Sequence, residues 1–549
     1  MSELDSKTVN LMQLFGQEYF FRIPDYQRPF LWDRDNLSDL IDDLRDAPKD
    51  EDYFLGTLVL HETSTSVFDV VDGQQRLTAL CILLACLRDS DSLSEKEKTE
   101  IQSMLVQSEK SLAKIPAKNR LQVKDSQAFN KVVGTVGGTI ADSAELNQHI
   151  GNGEQRYRDA VSIFASRIAD LSADGVRELA SFVIRRCVVI YLAAKSFSDA
   201  FRLFTVVNDR GKQLRRIDIL KAQNLAPDII ADDGVRAQYA AKWESLEEQI
   251  SEASFEDLFS SLRLIYVQDK PQNDLLKEFN ERVFGKPGKP TKGTVFIDTL
   301  EGYVGLYDQL FIARTYMATT KDAARFKSLI TAMVAEFRAS EWRACVLQYA
   351  KKFGRTGMTE FLLRIEKLYL QHWVAGIRKD ERYSAYTAIL KTLDVVTTGA
   401  AAARKITFDA EVIRDGCRVR NFYGAGYSKY LLLRAEILAS ELSEPREFTV
   451  RSVEHVLPQR PRADGGWAKA FPEPLLAEVV NTAGNLVLLS KAKNSSAQNK
   501  EFAEKKNTYL KPRVSDFPRS MEVLKAPRWT KQVIERRTEE FAKSVLKDP

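Results

Sequence analysis

Four histidines occur in the chain, His61, His149, His372 and His455, and only His455 stands in company suited to acid–base chemistry. It follows Glu454 and precedes Pro458 and Gln459. An imidazole can take a proton from water, and a neighbouring carboxylate can hold a divalent cation if a second ligand arrives from a following helix. Adjacent strand residues point to opposite faces, so Glu454 and His455 share one site only if the strand ends or bulges there, as Pro458 permits. A second cluster, Asp72-Gly73-Gln74-Gln75-Arg76, offers a glycine for close backbone approach, amides at a helix start and a guanidinium suited to bidentate phosphate contact. Asp72 also suits simple turn formation before Gly73. Asn208-Asp209-Arg210-Gly211-Lys212 repeats the same ingredients. No GxxxxGKS or GxxxxGKT loop exists, so any nucleotide is held outside a P-loop.

The elements that must position these groups can be read from pattern. Tyr53 to Leu60 and Val67 to Val71 read as strands, and an apolar helical run from Leu77 to Leu87 follows the glycine of the first cluster. Strand, glycine loop, helix is a layout that can build an anion site. Residues 154–221 are rich in helical pattern and include a β-branched strand-like run, CVVIYL. Residues from about 235 to 440 read as mostly helical, interrupted at Gly285 to Gly293 and at Thr397 to Arg404. Near the end, Phe448 to Val456 and Asn485 to Leu489 read as strands, with a helical NSSAQNKEFAEKKNTYL after them, a ββα arrangement. Asp39, Asp42, Asp43 and Asp46 read as a solvated helix face.

At 549 residues the chain is too long for one core and carries three or four domains' worth of sequence. Its 44% hydrophobic and 28% charged residues exclude a disordered or low-complexity scaffold. The net charge of +4 is uninformative until divided. Residues 451–549 hold 19 Lys and Arg against 12 Asp and Glu, a net of +7, which leaves −3 for residues 1–450. Five scattered cysteines without a CxxC pair fit buried free thiols in a reducing compartment. The start has no signal-peptide pattern, and no apolar run reaches the ~20 residues of a membrane span, so a cytoplasmic protein is expected.

Val453-Glu454-His455-Val456-Leu457-Pro458-Gln459, then Gly484-Asn485-Leu486-Val487-Leu488-Leu489, then Asn494, together resemble the HNH nuclease pattern whose third position is Asn. That resemblance implies Glu454 and Asn494 as ligands of Mg²⁺ (or Mn²⁺), His455 as general base and Asn485 as an orienting residue. Asn499 competes with Asn494 for the helical ligand. Glu454 stands where many such proteins carry Asp, and the zinc-binding CxxC pairs found in many of them are absent. Lys491, Lys493, Lys500 and Lys505 become candidate phosphate contacts in DNA, with a solvated helix face as the alternative.

In order, IPDYQRPFLW, FLGTLVL, VVDGQQR and FTVVNDRGKQL resemble the N-terminal domain of GmrSD-type restriction enzymes, and both halves in this order are similar to the single-chain GmrSD family. The resemblance implies an α+β multidomain chain. A ParB/sulfiredoxin-like α/β domain over 1–225 would bind or hydrolyse nucleotide and sense DNA modification. A helical connecting region would span 226–430, and a ββα-metal (HNH) endonuclease domain 431–549. Asp72, Gly73, Gln74, Gln75 and Arg76 would contact a nucleoside triphosphate (GTP, ATP, CTP or UTP), with Arg28, Asn208, Arg210 and Lys212 in support. The implied activity is type IV restriction in antiphage defence: triphosphate-gated, Mg²⁺-dependent cleavage of modified double-stranded phage DNA, with no membrane partner and a possible homodimer. The competing expectations are a modification-sensing DNA-binding protein with an inactive nuclease fold, and a nucleotide-hydrolysing regulator.

Overall fold

The computed structural model describes residues 4–549 except 17–18, 25, 28, 110–111, 113, 115, 125, 141–151, 197–198, 202, 205–214, 441, 447, 449–450, 511–516 and 549, with backbone alone at 152–153, 492–493, 496 and 508–510. It is an α+β chain of two compact units, Met1–Ala241 and Lys242–Pro549. From Lys242 on, the helical stretch expected over 226–430 and the segment expected over 431–549 lie within the second unit.

The first unit is built on a mixed six-stranded sheet. Its strands in chain order are β1 (Leu4–Asn10), β2 (Phe20–Arg22), β3 (Tyr53–Ser64), β4 (Val67–Asp72), β5 (Leu121–Gln122) and β6 (Cys187–Ala194), arranged as β1-β6-β3-β4-β2-β5. β3 and β4 form a hairpin that turns at Ser66 (φ +68°), which carries β3 past the Leu60 expected from pattern. β4 also pairs in parallel with β2. Helix α1 (Gln74–Arg88) leaves β4 through Gly73, and every residue from Leu77 to Arg88 is buried. A helix apolar on all sides belongs at the centre of a core, and α1 packs against α2 (Asn152–Ala169) among others. At its end, buried Arg88 and Asp89 form a two-pronged ion pair at 2.7 and 2.9 Å. Asp89 also accepts from Gly137 and Thr139, which fixes the glycine-bearing loop 133–138.

The second unit is mostly helical and carries a small antiparallel sheet of β7 (Ser452–His455) and β8 (Leu486–Leu489). Two expectations change here. Thr397 to Arg404 interrupts the helical run only at its start: the preceding helix ends at Val395, Thr398 caps a new helix over Gly399–Lys405, accepting from the Ala401 N–H at 3.3 Å, and the alanine run favours that helix. The expected strand from Phe448 starts only at Ser452, since Phe448 has φ +32°, outside strand geometry. All five thiols are free and buried. Among the described residues no helix is long and apolar enough to cross a membrane.

One buried cluster ties the chain's end to the helical part. Helix α3 (Met358–Val374) presents Glu366 to Arg434 of α4 (Ser428–Ala439) through bonds of 2.8 and 3.1 Å, with both side chains fully buried. Tyr430 donates to the same carboxylate, and Arg434 donates onward to the carbonyls of Val545 and Lys547. Removing one member of such a pair strands a charge in the core, at a cost of about 3–5 kcal/mol. Arg434→Ala is therefore expected to lower the stability of the second unit by that amount in urea unfolding. A change below about 1 kcal/mol would show that the pair contributes little beyond a surface pair.

Candidate active site

His455 is the last residue of β7, opposite Leu486 of β8 in the ladder. Its Nε2 lies 3.1 Å from Asn481 Oδ1, which also accepts from Gln459 Nε2 at 2.9 Å. A carboxamide oxygen only accepts, so Nε2 carries the ring proton and Nδ1 keeps the lone pair. Burial, with the Lys505 charge adding to it and the Asn481 bond opposing it, pushes the imidazole down to about 4. The ring is neutral at physiological pH, the form a general base requires. Tyr423 packs edge-on against it, with ring centroids 4.5 Å apart, and donates its own N–H to the Asn481 carbonyl at 3.0 Å.

The loop after His455 is pinned by Asn485, which is fully buried in the short turn before β8. Asn485 Oδ1 accepts from the Leu457 N–H at 2.8 Å and from Trp529 Nε1 at 3.0 Å. Its Nδ2 donates to the carbonyls of Leu457 (2.9 Å) and Val480 (2.7 Å). The preceding residue has to be glycine. A Cβ on Gly484 would lie 2.0 Å from the carbonyl oxygen of Ile534, in the C-terminal helix α7 (Lys531–Ser544).

Glu454 faces the other way. After β8 come α5 (Lys491–Ala497) and α6 (Phe502–Leu510), and Lys505 of α6 places its ammonium 2.6 Å from Glu454 Oε1 and 2.6 Å from the His455 carbonyl. Lys505, expected as a phosphate contact, is thus fully buried and engaged with Glu454, and burial lowers its pKa against the pull of that carboxylate. Asn494 of α5 donates to Ser452 Oγ at 2.6 Å, whereas Asn499 sits in an exposed turn. Glu454 and Asn494 are on the same side of β7, but the Glu454 carboxylate is taken by the Lys505 ammonium. Among the described residues no three His, Cys, Asp or Glu side chains gather in a way that could hold a metal ion. As arranged, these side chains do not fit a divalent cation. Lys491 and Lys500 are exposed, and the side chain of Lys493 lies outside the described residues.

In the first unit, Asp72 ends β4, Gly73 takes the left-handed conformation (φ +92°), and Gln74, Gln75 and Arg76 form the first turn of α1. The N-cap residue is Gly73, which has no side chain to cap the helix. Gln75 does not offer its amide to a ligand: it accepts from the Leu31 N–H at 2.6 Å and donates to the Pro29 carbonyl at 2.9 Å. Gln27 similarly donates to the Val71 carbonyl at 2.8 Å, so the IPDYQRPFLW segment is stapled to the β4–α1 junction from both sides. The half-buried Arg76 guanidinium packs over Gly56 and is 3.4 Å from the Thr57 carbonyl. Burial lowers its pKa and the Asp72 carboxylate opposes that. Arg28, Asn208, Arg210 and Lys212 lie outside the described residues.

Sequence reasoning missed Asn481, Tyr423 and Trp529. Asn481 stands four residues before Asn485 in NTAGN, a spacing that could have flagged it; the other two reach the site only through tertiary packing. Asn485→Ala would leave two carbonyls and two N–H donors buried without partners, each worth about 1–3 kcal/mol. The variant is expected to lose at least about 2 kcal/mol in urea unfolding of the second unit and to release the loop that holds His455. Unfolding indistinguishable from wild type would remove Asn485 from its positioning role.

The family model for the N-terminal domain of GmrSD restriction endonucleases matches residues 11–225, and that for the C-terminal domain matches residues 406–544. No curated protein matches the chain. One match falls within each compact unit, the first spanning the Asp72–Arg76 turn and the second spanning His455, Asn481 and Asn485. With the N-terminal and C-terminal domains of one family matched in that order and together spanning more than half of its length, the chain belongs to the GmrSD-type family of type IV restriction endonucleases, which cut DNA.

Proposed function

We propose that the chain is a cytoplasmic antiphage endonuclease that cleaves modified double-stranded DNA at an HNH-like site and is gated by a nucleoside triphosphate bound in a ParB-like first unit. The observation that carries the cleavage half is the His455 environment. Asn481 holds the Nε2 proton, burial keeps the ring neutral, and Asn485 fixes the following loop. In the proposed step Nδ1 takes a proton from water, the oxygen attacks phosphorus, and the bond to the leaving oxygen of the backbone breaks in line. His455→Ala is expected to reduce nicking of a modified plasmid by at least about 100-fold, the lower end of what a positioned base contributes. Full nicking by this variant would overturn the assignment.

For the gating half, the positive end of the α1 dipole favours an anion, and Arg76 lies within the same turn. Arg76→Ala is expected to abolish triphosphate hydrolysis while leaving the thermal unfolding of the second unit in place. Unchanged turnover of GTP, ATP, CTP and UTP would remove the site. A homodimer would let one nicking centre per chain cut both strands, and sizing the protein with and without nucleotide tests that.

A second reading has its own support. Glu454 is satisfied by Lys505 instead of being left to a cation, as expected of a DNA-binding protein that senses modification without cutting. A nicking assay with Mg²⁺, Mn²⁺ or EDTA separates the two. Cleavage that EDTA abolishes requires Glu454 to exchange Lys505 for metal, whereas binding of modified DNA without cleavage under any condition establishes the sensor.

A further inference from the structure

Two recesses in the second unit adjoin at Arg451, immediately before β7. The smaller, of about 250 Å³, is rimmed by Arg314, Arg446 and Arg451 over an apolar floor that includes Leu433 and Ile437. The larger, of about 600 Å³, runs from Arg451 past Tyr423 and Lys429 to Lys491, with Val453 and Leu488 of the small sheet at its base. Five cations therefore line the pair, against the single carboxylate of Glu336, which is already paired with Arg451. Lys429 and Lys491 are exposed. Tyr423, 42% exposed, forms part of this lining while its ring packs against His455. Val453 and His455 alternate on one face of β7, so the larger recess opens on the side of the sheet where His455 lies and away from Glu454 and Lys505.

The geometry points to these two recesses as one continuous track for the DNA backbone, with Lys429 and Lys491 contacting phosphates next to Tyr423 and the arginine-rimmed recess holding a phosphate further along the same strand. The inference rests on the endonuclease reading and adds to it a path contributed largely by residues that precede the basic C-terminal segment. A strand laid along the track passes Tyr423, whose exposed ring offers a face for base or sugar contact, and so reaches His455. Phosphate contacts of this kind supply affinity without sequence preference, because counterions are released from the DNA as the cations replace them.

Full-length protein titrated with a short fluorescent duplex across a series of salt concentrations tests this. Lys429→Ala/Lys491→Ala is expected to weaken binding roughly 10- to 30-fold at physiological salt and to lower the slope of log K against log salt by about 1.8. Arg446→Ala is expected to lower the slope by about 0.9. The control Lys391→Ala/Lys405→Ala, which removes two exposed charges elsewhere in the unit, should leave slope and affinity unchanged, and triphosphate hydrolysis should be equal in all four proteins. An unaltered slope in the first variant, with wild type binding and nicking normally, overturns the track and leaves the endonuclease reading standing. A wild type that neither binds nor nicks any duplex overturns that reading itself. DNA affinity unaffected by Arg446→Ala, with inorganic phosphate bound in its recess, reassigns the smaller recess to a free anion and overturns its place in the track.

Discussion

Side chains of successive strand residues point to opposite faces, and the architecture around His455 depends on that constraint. Because β7 runs through His455 without a bulge in its pairing with β8, Glu454 is turned inward as His455 is turned toward Tyr423 and Asn481. A carboxylate taken out of water has to be paired, and Lys505 pairs it, which in turn fixes α6 beneath the sheet. The same ammonium bonds the His455 carbonyl and its charge helps keep the imidazole neutral. Burial is the main cause of that neutrality, and the ammonium of the ion pair on the opposite face adds to it. The two faces differ: one anchors the sheet to its helices through Glu454, and the other carries the His455 imidazole.

The anchoring reaches well beyond the motif. Asn485 joins the His455 loop to the turn at Val480 and to Trp529, and Gly484 lets α7 approach until only a hydrogen atom fits between them. The residues that end α7 are in turn bonded by Arg434, which is locked to Glu366 in the helical part. The helical stretch is therefore more than a connector. It carries the buried charge that secures the chain's end, and through that end it secures the turn that holds the His455 loop.

Local pattern made the strands and the β4–Gly73–α1 turn legible, since alternation, a glycine needing positive φ and a long apolar helix are all written within a few residues. The HNH resemblance also grouped His455 with Asn485, which stands in the turn just before β8 and bonds the loop after His455. What it could not supply was the partner of each polar group. Lys505 looks from sequence like one more surface lysine in a basic segment, and only the packing of α6 under β7 reveals it as the counter-ion of Glu454. Gln75 reads as a ligand residue until the fold brings Pro29 and Leu31 to it. Thr397 to Arg404 was legible only in part: the polar turn signal marks the break after Val395, while the strong helix preference of the alanines makes a helix from Gly399 on.

The charge division shows the same limit. A net of +7 lies beyond residue 450, yet part of it is not available to a ligand, because Lys505 is engaged internally with Glu454. Conversely, the net of −3 before residue 451 hides Arg314, Lys429 and Arg446, which the fold carries to the edge of the small sheet. A sum along the sequence averages over faces that the folded chain separates. The field at a surface is set by which cations share it without a carboxylate to neutralise them, and the two recesses that meet at Arg451 draw their cations from the helical part and the segment of the small sheet together.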